Sequence, residues 1–233
     1  MIGHPHVHHR LTDSTNERAR ELAVNGAPHG TLVTADEQTA GRGRQGRAWV
    51  APHGSALLMS LVVRDLREEH ALLPLAAAVA VSEACEAVAA VKCAIKWPND
   101  VWIEGRKVAG ILVEGRPQEG WAILGIGLNV ATAADEFPEE LREIATSLRA
   151  AAGDAPPVGE VRAELLDRLD TWLTRPADNL ISAWRERDAL RGRRVRWADG
   201  EGEATGIAES GALLVATADG EVALDAGEVH LLR

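Results

Sequence analysis

The chain between residues 91 and 130 alternates short apolar segments with tight turns, and this pattern restricts the possible topologies more than any other feature. It predicts strands at residues 91–97, 101–104, 107–114 and 121–130, a turn at Pro98-Asn99-Asp100 and a hairpin tip at Gly105-Arg106. Consecutive strands joined this tightly must be antiparallel. We therefore predict a largely antiparallel sheet at the centre of the fold.

Further elements flank this region. Apolar patterning predicts strands at residues 31–37 and 55–63, a buried helix within residues 71–91, and amphipathic helices at 158–173 and 177–190. Ser14-Thr15-Asn16-Glu17 has the spacing of a capping box, in which Ser14 accepts from a first-turn amide, and a helix at 18–24 with a stop at Gly26 follows. The fold class is therefore α+β, with helices flanking the sheet.

From Gly192 onward the pattern changes to short strands and turns, which predicts a small β-barrel or curled sheet. The strands are expected at residues 193–197, 205–207, 213–217 and 221–224, with turns at 199–202 and 219–220. Four arginines introduce this region, at positions 191, 193, 194 and 196. They are compatible with nucleic-acid binding, but acidic residues follow closely, which favours a solvated strand edge.

Composition narrows the functional classes. The 233 residues suggest one large domain or a large and a small one, and 25 basic against 35 acidic residues give a net charge of −10, which argues against broad nucleic-acid binding. No targeting signal is recognisable, and residues 71–91 contain Pro74 and polar side chains that favour a buried helix over a membrane span. Cys85 and Cys93 are expected to be reduced and buried, as in a cytoplasmic protein.

The amino-terminal histidines, His4, His6, His8 and His9, have metal-binding chemistry. At a chain end and without an acidic partner, however, they favour a disordered segment over a metal site. We expect residues 1–10 to be disordered.

A glycine-arginine loop at residues 41–47 joins the predicted strands at 31–37 and 55–63. Its sequence, Gly-Arg-Gly-Arg-Gln-Gly-Arg, suits neither a helix nor a strand, because glycine costs backbone entropy and the arginines repel one another. We predict a mobile loop that an anion would order. The composition alone also fits an RNA-binding segment or a solvated loop, but a local positive site in an acidic protein favours a small anionic ligand.

Three further features suggest a ligand site. The helix start at Ser14, Thr15 and Asn16 presents polar groups where a ligand can dock. Lys107 opens an apolar strand, so its ammonium group either extends into solvent or is held as a cation at the rim of the core, where it can meet a carboxylate or phosphate. The glycines of Gly125-Ile-Gly-Leu-Asn129 indicate close approach of another backbone or a ligand.

Together these motifs resemble the catalytic region of biotin protein ligases. The matching segments are Asp13-Ser-Thr-Asn16, Gln38-Thr-Ala-Gly-Arg-Gly-Arg-Gln-Gly-Arg-Ala-Trp49, Lys96-Trp-Pro-Asn-Asp100, Arg106-Lys-Val-Ala-Gly-Ile-Leu-Val-Glu114 and Gly125-Ile-Gly-Leu-Asn-Val130. All five occur in the order found in the family and cover most of residues 11–130.

The resemblance implies a fold and a set of site residues. It implies a catalytic domain like that of class II aminoacyl-tRNA synthetases at residues 1–188 and an SH3-like β-barrel at 189–233, with 227–229 as its closing strand. The implied biotin-binding residues are Ser14, Thr15, Asn16, Gln38, Arg42, Gly43, Arg44, Lys107 and Gly110. The implied ATP and adenylate contacts are Arg44, Arg47, Trp49, Asn99, Asp100, Lys107 and Asn129. Lys107 and Arg44 would be catalytic, and Asp100 would orient the nucleotide or bind the metal, or would simply belong to the turn.

The resemblance also implies the reaction. Biotin and ATP would form biotinyl-5′-AMP with Mg²⁺ on the phosphates, and biotin would then pass to a lysine of a biotin carboxyl carrier protein or domain. Only 13 residues precede Ser14, so a ligase without a DNA-binding domain is expected; homodimerisation is compatible with the sequence. Two alternatives stay open: a lipoate or octanoate ligase or transferase of the same fold, and a non-enzymatic RNA-binding module, which would leave Ser14, Gln38 and Lys107 unexplained.

Overall fold

The computed structural model describes residues 2–66 and 72–232. Within these residues the helices are α1 (Thr15–Val24), α2 (Leu73–Val88), α3 (Leu148–Ala152), α4 (Val158–Trp172) and α5 (Ala177–Arg185). The strands are β1 (His6–His9), β2 (Leu32–Ala35), β3 (Ala56–Arg64), β4 (Cys93–Lys96), β5 (Asp100–Ile103), β6 (Arg106–Arg116), β7 (Trp121–Asn129), β8 (Arg194–Trp197), β9 (Gly200–Ile207), β10 (Leu213–Thr217), β11 (Gly220–Leu224) and β12 (His230–Leu231). The α+β class is confirmed.

The central sheet has the strand order β1-β2-β3-β7-β6-β5-β4 within the described residues. β1 and β2 are parallel, and every other neighbouring pair is antiparallel, so the sheet is mixed and largely antiparallel as predicted. The short turns after β4 and β5 enforce this order at one edge, because a tight connection returns each strand beside the last one.

The two faces of the sheet differ in what covers them. Along β3, Leu57, Met59 and Leu61 join the main core, which α2, α4 and α5 cover. Val62 points to the opposite face, where it packs with Ala19 of α1. This alternation follows from the two-residue period of a strand. Helix α1 covers only the part of this sheet face formed by β2, β3 and β7. The face is left open next to the amino-terminal end of the helix, at Ser14, Thr15 and Asn16.

A second, antiparallel sheet has the strand order β11-β10-β9-β8-β12. It confirms the predicted small β-module, although the exact boundary at residue 188 stays a prediction. Arg194 and Arg196 are exposed on β8 and both pair with Glu201, at 2.9 and 3.1 Å. The closing strand is His230–Leu231, and not residues 227–229 as expected. Gly227 has φ +120°, a backbone conformation that does not continue a regular strand. Within the described residues its carbonyl accepts a hydrogen bond from Arg44 and not from a neighbouring strand.

The amino terminus departs from the sequence prediction. Residues 6–9 form an edge strand in place of the expected disorder, because β2 supplies its backbone partners. The side chains also contribute: His6 Nε2 and His8 Nδ1 lie 2.8 and 3.0 Å from Thr34 Oγ1. No group of three or more metal-ligating side chains suited to an ion occurs among the described residues, these histidines included.

The predicted capping box is also wrong. Helix α1 begins at Thr15, three residues earlier than expected, and the Ser14 side chain makes no capping hydrogen bond. The Ser14 carbonyl still accepts from the amide of Arg18, so Ser14 is the N-cap through its backbone. Its hydroxyl is therefore free of the helix, and Glu17 pairs with arginines instead of reaching back.

One predicted helix is shorter than expected. Helix α5 ends at Arg185 and not near Leu190, because residues 187–189 pair with the edge of β4: the Ile95 amide donates to the Arg187 carbonyl at 2.6 Å. The helix predicted within 71–91 spans Leu73–Val88, with residue 71 outside the described residues. Cys85 and Cys93 are buried free thiols, and a hydrogen bond with Cys93 together with burial raises the pKa of Cys85.

No helix in the described ranges combines the length and apolar character that a membrane crossing requires.

Candidate active site

A first cavity of about 460 Å³ lies on the open part of the sheet face that α1 covers. All nine residues expected to bind biotin line it: Ser14, Thr15, Asn16, Gln38, Arg42, Gly43, Arg44, Lys107 and Gly110. They come from the start of α1, the segment after β2, the glycine-arginine loop and β6. The fold thus brings together polar groups that lie up to about ninety positions apart in the sequence.

Glycines on β6 and β7 form the floor of this cavity and leave room for the side chains that pack against it. Gly127 pairs with Gly110 across β7 and β6, and a Cβ on Gly127 would lie 2.5 Å from the Trp49 ring. A Cβ on Gly125 would lie 2.0 Å from Asn16 Oδ1. Carbon atoms do not approach other heavy atoms this closely, so any side chain at these positions would displace Trp49 or Asn16. The close approach occurs, but the side chains of Trp49 and Asn16 make it, and not the backbone or ligand that the sequence predicted.

The far end of the first cavity is uncharged and hydrogen-bonded. Gln38 Oε1 accepts from the backbone amide of Thr15 at 2.7 Å and from its hydroxyl at 3.1 Å. Ser60, which is fully buried on β3, places its Oγ 2.8 Å from Thr15 Oγ1 and 2.6 Å from Asn16 Oδ1. Because Gln38 uses its oxygen internally, its amide nitrogen is left as the donor toward the cavity.

A second cavity of about 610 Å³ adjoins the first. Six of the seven residues expected to contact the nucleotide line it: Arg44, Arg47, Trp49, Asn99, Asp100 and Lys107. It is rich in cations, since Arg44, Arg47, Lys96 and Lys107 all border it. Asn129 is the exception. It is buried at the end of β7, where its amide donates to the Thr146 carbonyl at 3.0 Å, and it lines neither cavity.

The two cavities share a wall of five residues: Gly43, Arg44, Trp49, Asn99 and Lys107. Arg44 Nη1 donates to Asn99 Oδ1 at 2.9 Å, and Asn99 Nδ2 donates to the Ile111 carbonyl at 2.8 Å, which fixes both side chains against β6. Lys107 Nζ lies 2.7 Å from Asp100 Oδ1 and 5.7 Å from the centre of the Trp49 ring. Lys107 is therefore held at the rim of the core, which favours the rim alternative over a solvated lysine.

The carboxy-terminal module completes the second cavity. Arg44 Nη2 donates to the Gly227 carbonyl at 3.1 Å, and Arg47 Nη1 lies 2.6 Å from Glu228 Oε1. The glycine-arginine loop itself folds back through a bridge between Arg42 and Ala48, with a short turn at its tip. The loop therefore has a defined conformation here; its predicted mobility stays a prediction.

Sequence reasoning did not identify four residues that the structure places at the site: Ser60, Lys96, Glu114 and Glu228. Lys96 lines the second cavity, and burial lowers its pKa, while Asp100 and Glu228 oppose that shift. Lys96 and Glu114 lie within motifs that the sequence shows, so a local signal exists for both. Ser60 lies in an apolar strand, and Glu228 lies more than 180 residues from the loop that it contacts, so neither had a local signal.

Comparison with known proteins agrees with this geometry. Residues 8–130 match the Biotin/lipoate A/B protein ligase family, and residues 192–232 match the Biotin protein ligase C terminal domain. This chain belongs to the biotin protein ligase family. The first match covers every residue that lines the first cavity. The second covers most of the small β-module, including residues 227–229 of the second cavity.

Individual relatives extend over nearly the whole chain. The Bifunctional ligase/repressor BirA of Bacillus subtilis is 39% identical, covering 99% of this chain and 75% of the relative. The biotin--[acetyl-CoA-carboxylase] ligase of Mycobacterium tuberculosis is 36% identical, covering 95% of this chain and 87% of its own length. The structure of the Aquifex aeolicus biotin protein ligase in complex with biotin and ATP superposes with a TM-score of 0.87 at 31% identity, covering 98% of each chain.

Proposed function

We propose that this protein activates biotin with ATP and transfers it to a lysine of a biotin carboxyl carrier protein or domain. The observation that carries this proposal is the wall shared by the two cavities. One cavity ends in uncharged hydrogen-bonding groups, the other is cationic, and Arg44 and Lys107 stand between them. Such a pair of sites suits two anionic substrates that must react at their junction.

The first cavity suits biotin. The ureido ring of biotin has both N–H donors and a carbonyl acceptor, and the groups around Thr15 and Gln38 offer both complements. The Trp49 ring, which packs against Gly110 and Gly127, provides an apolar surface for the rest of the ring system and its chain. The carboxylate at the end of that chain would then reach the wall at Arg44 and Lys107.

The second cavity suits the nucleotide. A triphosphate carries several negative charges, and the four bordering cations offset them. In the first half-reaction a biotin carboxylate oxygen attacks the α-phosphorus, and pyrophosphate leaves. Lys107 and Arg44 would bring the two anions together and stabilise the charge on the α-phosphate oxygens, which is why we assign them the catalytic roles.

In the second half-reaction the amine of the acceptor lysine attacks the acyl carbon, and AMP leaves with the electron pair of the broken bond. This step needs no nucleophile from the enzyme. The task of the protein is to exclude water from the mixed anhydride until the lysine arrives. The glycine-arginine loop, which borders both cavities, is the element we assign to that task.

Mg²⁺ fits this site as a partner of the phosphates. Asp100 is a carboxylate lining the second cavity and is the residue that would hold the ion, although it already pairs with Lys107. One carboxylate together with substrate phosphates is a usual environment for Mg²⁺ in proteins. When bound, the ion would neutralise phosphate charge alongside the cations of the site.

The partner and the location follow from this activity. The acceptor would be the biotin-carrying domain of a biotin-dependent carboxylase, and the cytoplasm, where thiols stay reduced, suits the two free cysteines Cys85 and Cys93. We propose neither DNA nor a membrane as a partner, and a homodimer is compatible with the sequence.

The match to the Biotin protein ligase C terminal domain at residues 192–232 favours biotin over lipoate or octanoate as the substrate. The RNA-binding alternative is disfavoured because the loop arginines have protein partners: Arg42 pairs with Glu17, Arg44 with Asn99 and Arg47 with Glu228.

The test is to mix the protein with biotin, Mg²⁺ and ATP labelled at the α-phosphate, and to isolate protein-bound label that co-migrates with biotinyl-5′-AMP. Omission of biotin is the control, and lipoate and octanoate replace it in parallel reactions. We expect labelled adenylate only in the reaction that contains biotin, and none with lipoate, with octanoate or without an added acid. Label retained equally without biotin, or a preference for lipoate, would contradict the proposal.

A further inference from the structure

Glu114 lies between the far end of the first cavity and the glycine-arginine loop. It is on β6, two residues beyond Leu112 and four beyond Gly110, so its side chain is on the same face of the sheet as the cavity. Its Oε2 accepts from Asn16 Nδ2 at 2.7 Å, and its Oε1 lies 3.8 Å from Arg42 Nη1. One carboxylate thus contacts both Asn16, which lines the first cavity, and Arg42 of the loop.

Asn16 is committed at both ends of its amide. Its Oδ1 lies 2.6 Å from Ser60 Oγ, and its Nδ2 donates to Glu114. The residue is 5% exposed and lies against the bare backbone of Gly125. Asn16 therefore links Ser60 to Glu114 through two hydrogen bonds.

Arg42 connects the same chain of contacts to the loop. Its guanidinium lies 3.1 Å from Glu17 Oε2 and 3.8 Å from Glu114 Oε1, so two carboxylates flank it. The backbone of Arg42 pairs with Ala48, and it precedes the Gly43 and Arg44 that form part of the shared wall. A shift of Arg42 would therefore move the residues placed between the two cavities.

We propose that Glu114 is a positioning residue that couples the biotin end of the first cavity to closure of the glycine-arginine loop. The proposal rests on the proposed function. Biotin held beside Thr15 would fix Asn16 through Ser60, and Asn16 would fix the Glu114 carboxylate that faces Arg42. Bonds to a charged carboxylate are stronger than those to a neutral amide, and polar networks strengthen cooperatively. The loop would then release biotinyl-5′-AMP most slowly when the ureido ring is bound beside Thr15.

Two substitutions separate the two contacts of this carboxylate. Glu114→Gln keeps an oxygen that can accept from Asn16 but removes the charge facing Arg42, whereas Glu114→Ala removes both. The matched control is Glu119→Gln, which removes an exposed carboxylate just beyond the same strand. Thermal unfolding of each variant establishes that it is folded before activity is compared.

The experiment measures KM for biotin, the release rate of preformed biotinyl-5′-AMP, and trypsin cleavage of the loop with both substrates present. For Glu114→Gln we expect KM for biotin within about 2-fold of the wild type, with adenylate release and cleavage about 5-fold faster, the usual size of a partly exposed charge contact. Glu114→Ala should also raise KM for biotin, by about 10-fold, the size of one lost hydrogen bond to a charged group.

A double-variant cycle isolates the coupling. Adding Glu114→Gln to Arg42→Gln should accelerate adenylate release no further than Arg42→Gln does alone, because the partner charge is already gone. Fully additive effects, or release from Glu114→Gln at the rate of the Glu119→Gln control, would overturn the coupling. If the wild type forms no biotinyl-5′-AMP, the proposed function itself fails, and the two failures are thereby distinguished.

Discussion

The two cavities are built in different ways. The far end of the first cavity is uncharged and comes from one continuous region, in which the start of α1 meets β3, β6 and β7. The second cavity is cationic, and residues 227–229 of the carboxy-terminal module line part of it. The first is therefore built from residues 14–127 alone, whereas the second also depends on residues of the carboxy-terminal module.

This difference has consequences for specificity and for control. A floor of glycines and internally satisfied hydrogen bonds gives a rigid shape, which suits recognition of one ring system. A cavity bordered by ion pairs such as Arg47 with Glu228 adjusts to the charge that enters it. We expect substitutions in the first cavity to act on biotin and those in the second to act on ATP.

The largest effect should come from the wall between the cavities. Lys107→Ala should lower the rate of adenylate formation by about 10²–10³-fold, as the loss of one preorganised group stabilising transition-state charge does. The control is Lys92→Ala, which removes an exposed lysine. Single-turnover formation of labelled adenylate measures the rate, and far-UV circular dichroism confirms folding. A normal rate in a folded Lys107→Ala protein would contradict its role.

The floor of the first cavity gives the next largest effect. Gly125→Ala should weaken the binding of biotin by about 10- to 100-fold, because the added carbon would displace Asn16 and overpacking costs about 1–3 kcal/mol. In Gly115→Ala, on the neighbouring strand β6, the new carbon would meet nothing closer than 3.8 Å, so activity should be retained. Isothermal titration with biotin and with ATP tests the comparison. Equal losses of affinity for biotin and for ATP would contradict the assignment of the two substrates to separate cavities.

The cross-module contact should give a smaller and opposite effect. Glu228→Gln frees Arg47 from its ion pair, so ATP should bind about 2- to 5-fold more tightly, the range of an exposed pair. Arg47 is 65% exposed, so added salt should reduce the difference. Initial rates across ATP concentrations at two ionic strengths measure this. An equal change in KM for biotin would show that the second cavity is not electrostatically separate.

The smallest effect concerns stability where the modules meet. Burial raises the pKa of Asp188, whose Oδ1 accepts from the Leu190 amide at 2.8 Å. The folded protein therefore binds this proton more tightly than the unfolded chain, so the stability it contributes is present below the unfolded value near 3.8 and is lost as pH rises through the raised folded value.

Asp188→Asn keeps an acceptor for Leu190 and removes this charge. Its Tm should exceed that of the wild type by about 1–3 °C at pH 8, with a smaller difference at pH 4, as expected for about 1 kcal/mol or less in a chain of this size. Differential scanning calorimetry at the two pH values measures it. A difference that does not change with pH would contradict the assignment.

Much of the central sheet was predictable from local patterns. The strands β3, β6 and β7 follow apolar runs bounded by glycine or proline, and the turn at Pro98 fixes their neighbours as antiparallel. The first cavity was predictable for the same reason, because its residues belong to short motifs on these elements.

The failures share a physical cause, which is dependence on distant partners. The strand His6–His9 has no apolar period and forms because β2 pairs with it. The role of Glu228 depends on a contact with Arg47 that no local window contains. The free hydroxyl of Ser14 was misassigned because a capping box and a binding site use the same residue types, and the choice between them is made by tertiary structure.

The two cavities are expected to receive the two parts of one conjugate. A crystal structure with biotinyl-5′-AMP, or a stable analogue of it, tests this directly. We predict the ureido ring beside Thr15 and Gln38, the phosphate between Arg44 and Lys107, and the adenosine in the second cavity. A conjugate bound in the reverse orientation, or away from the shared wall, would contradict the account.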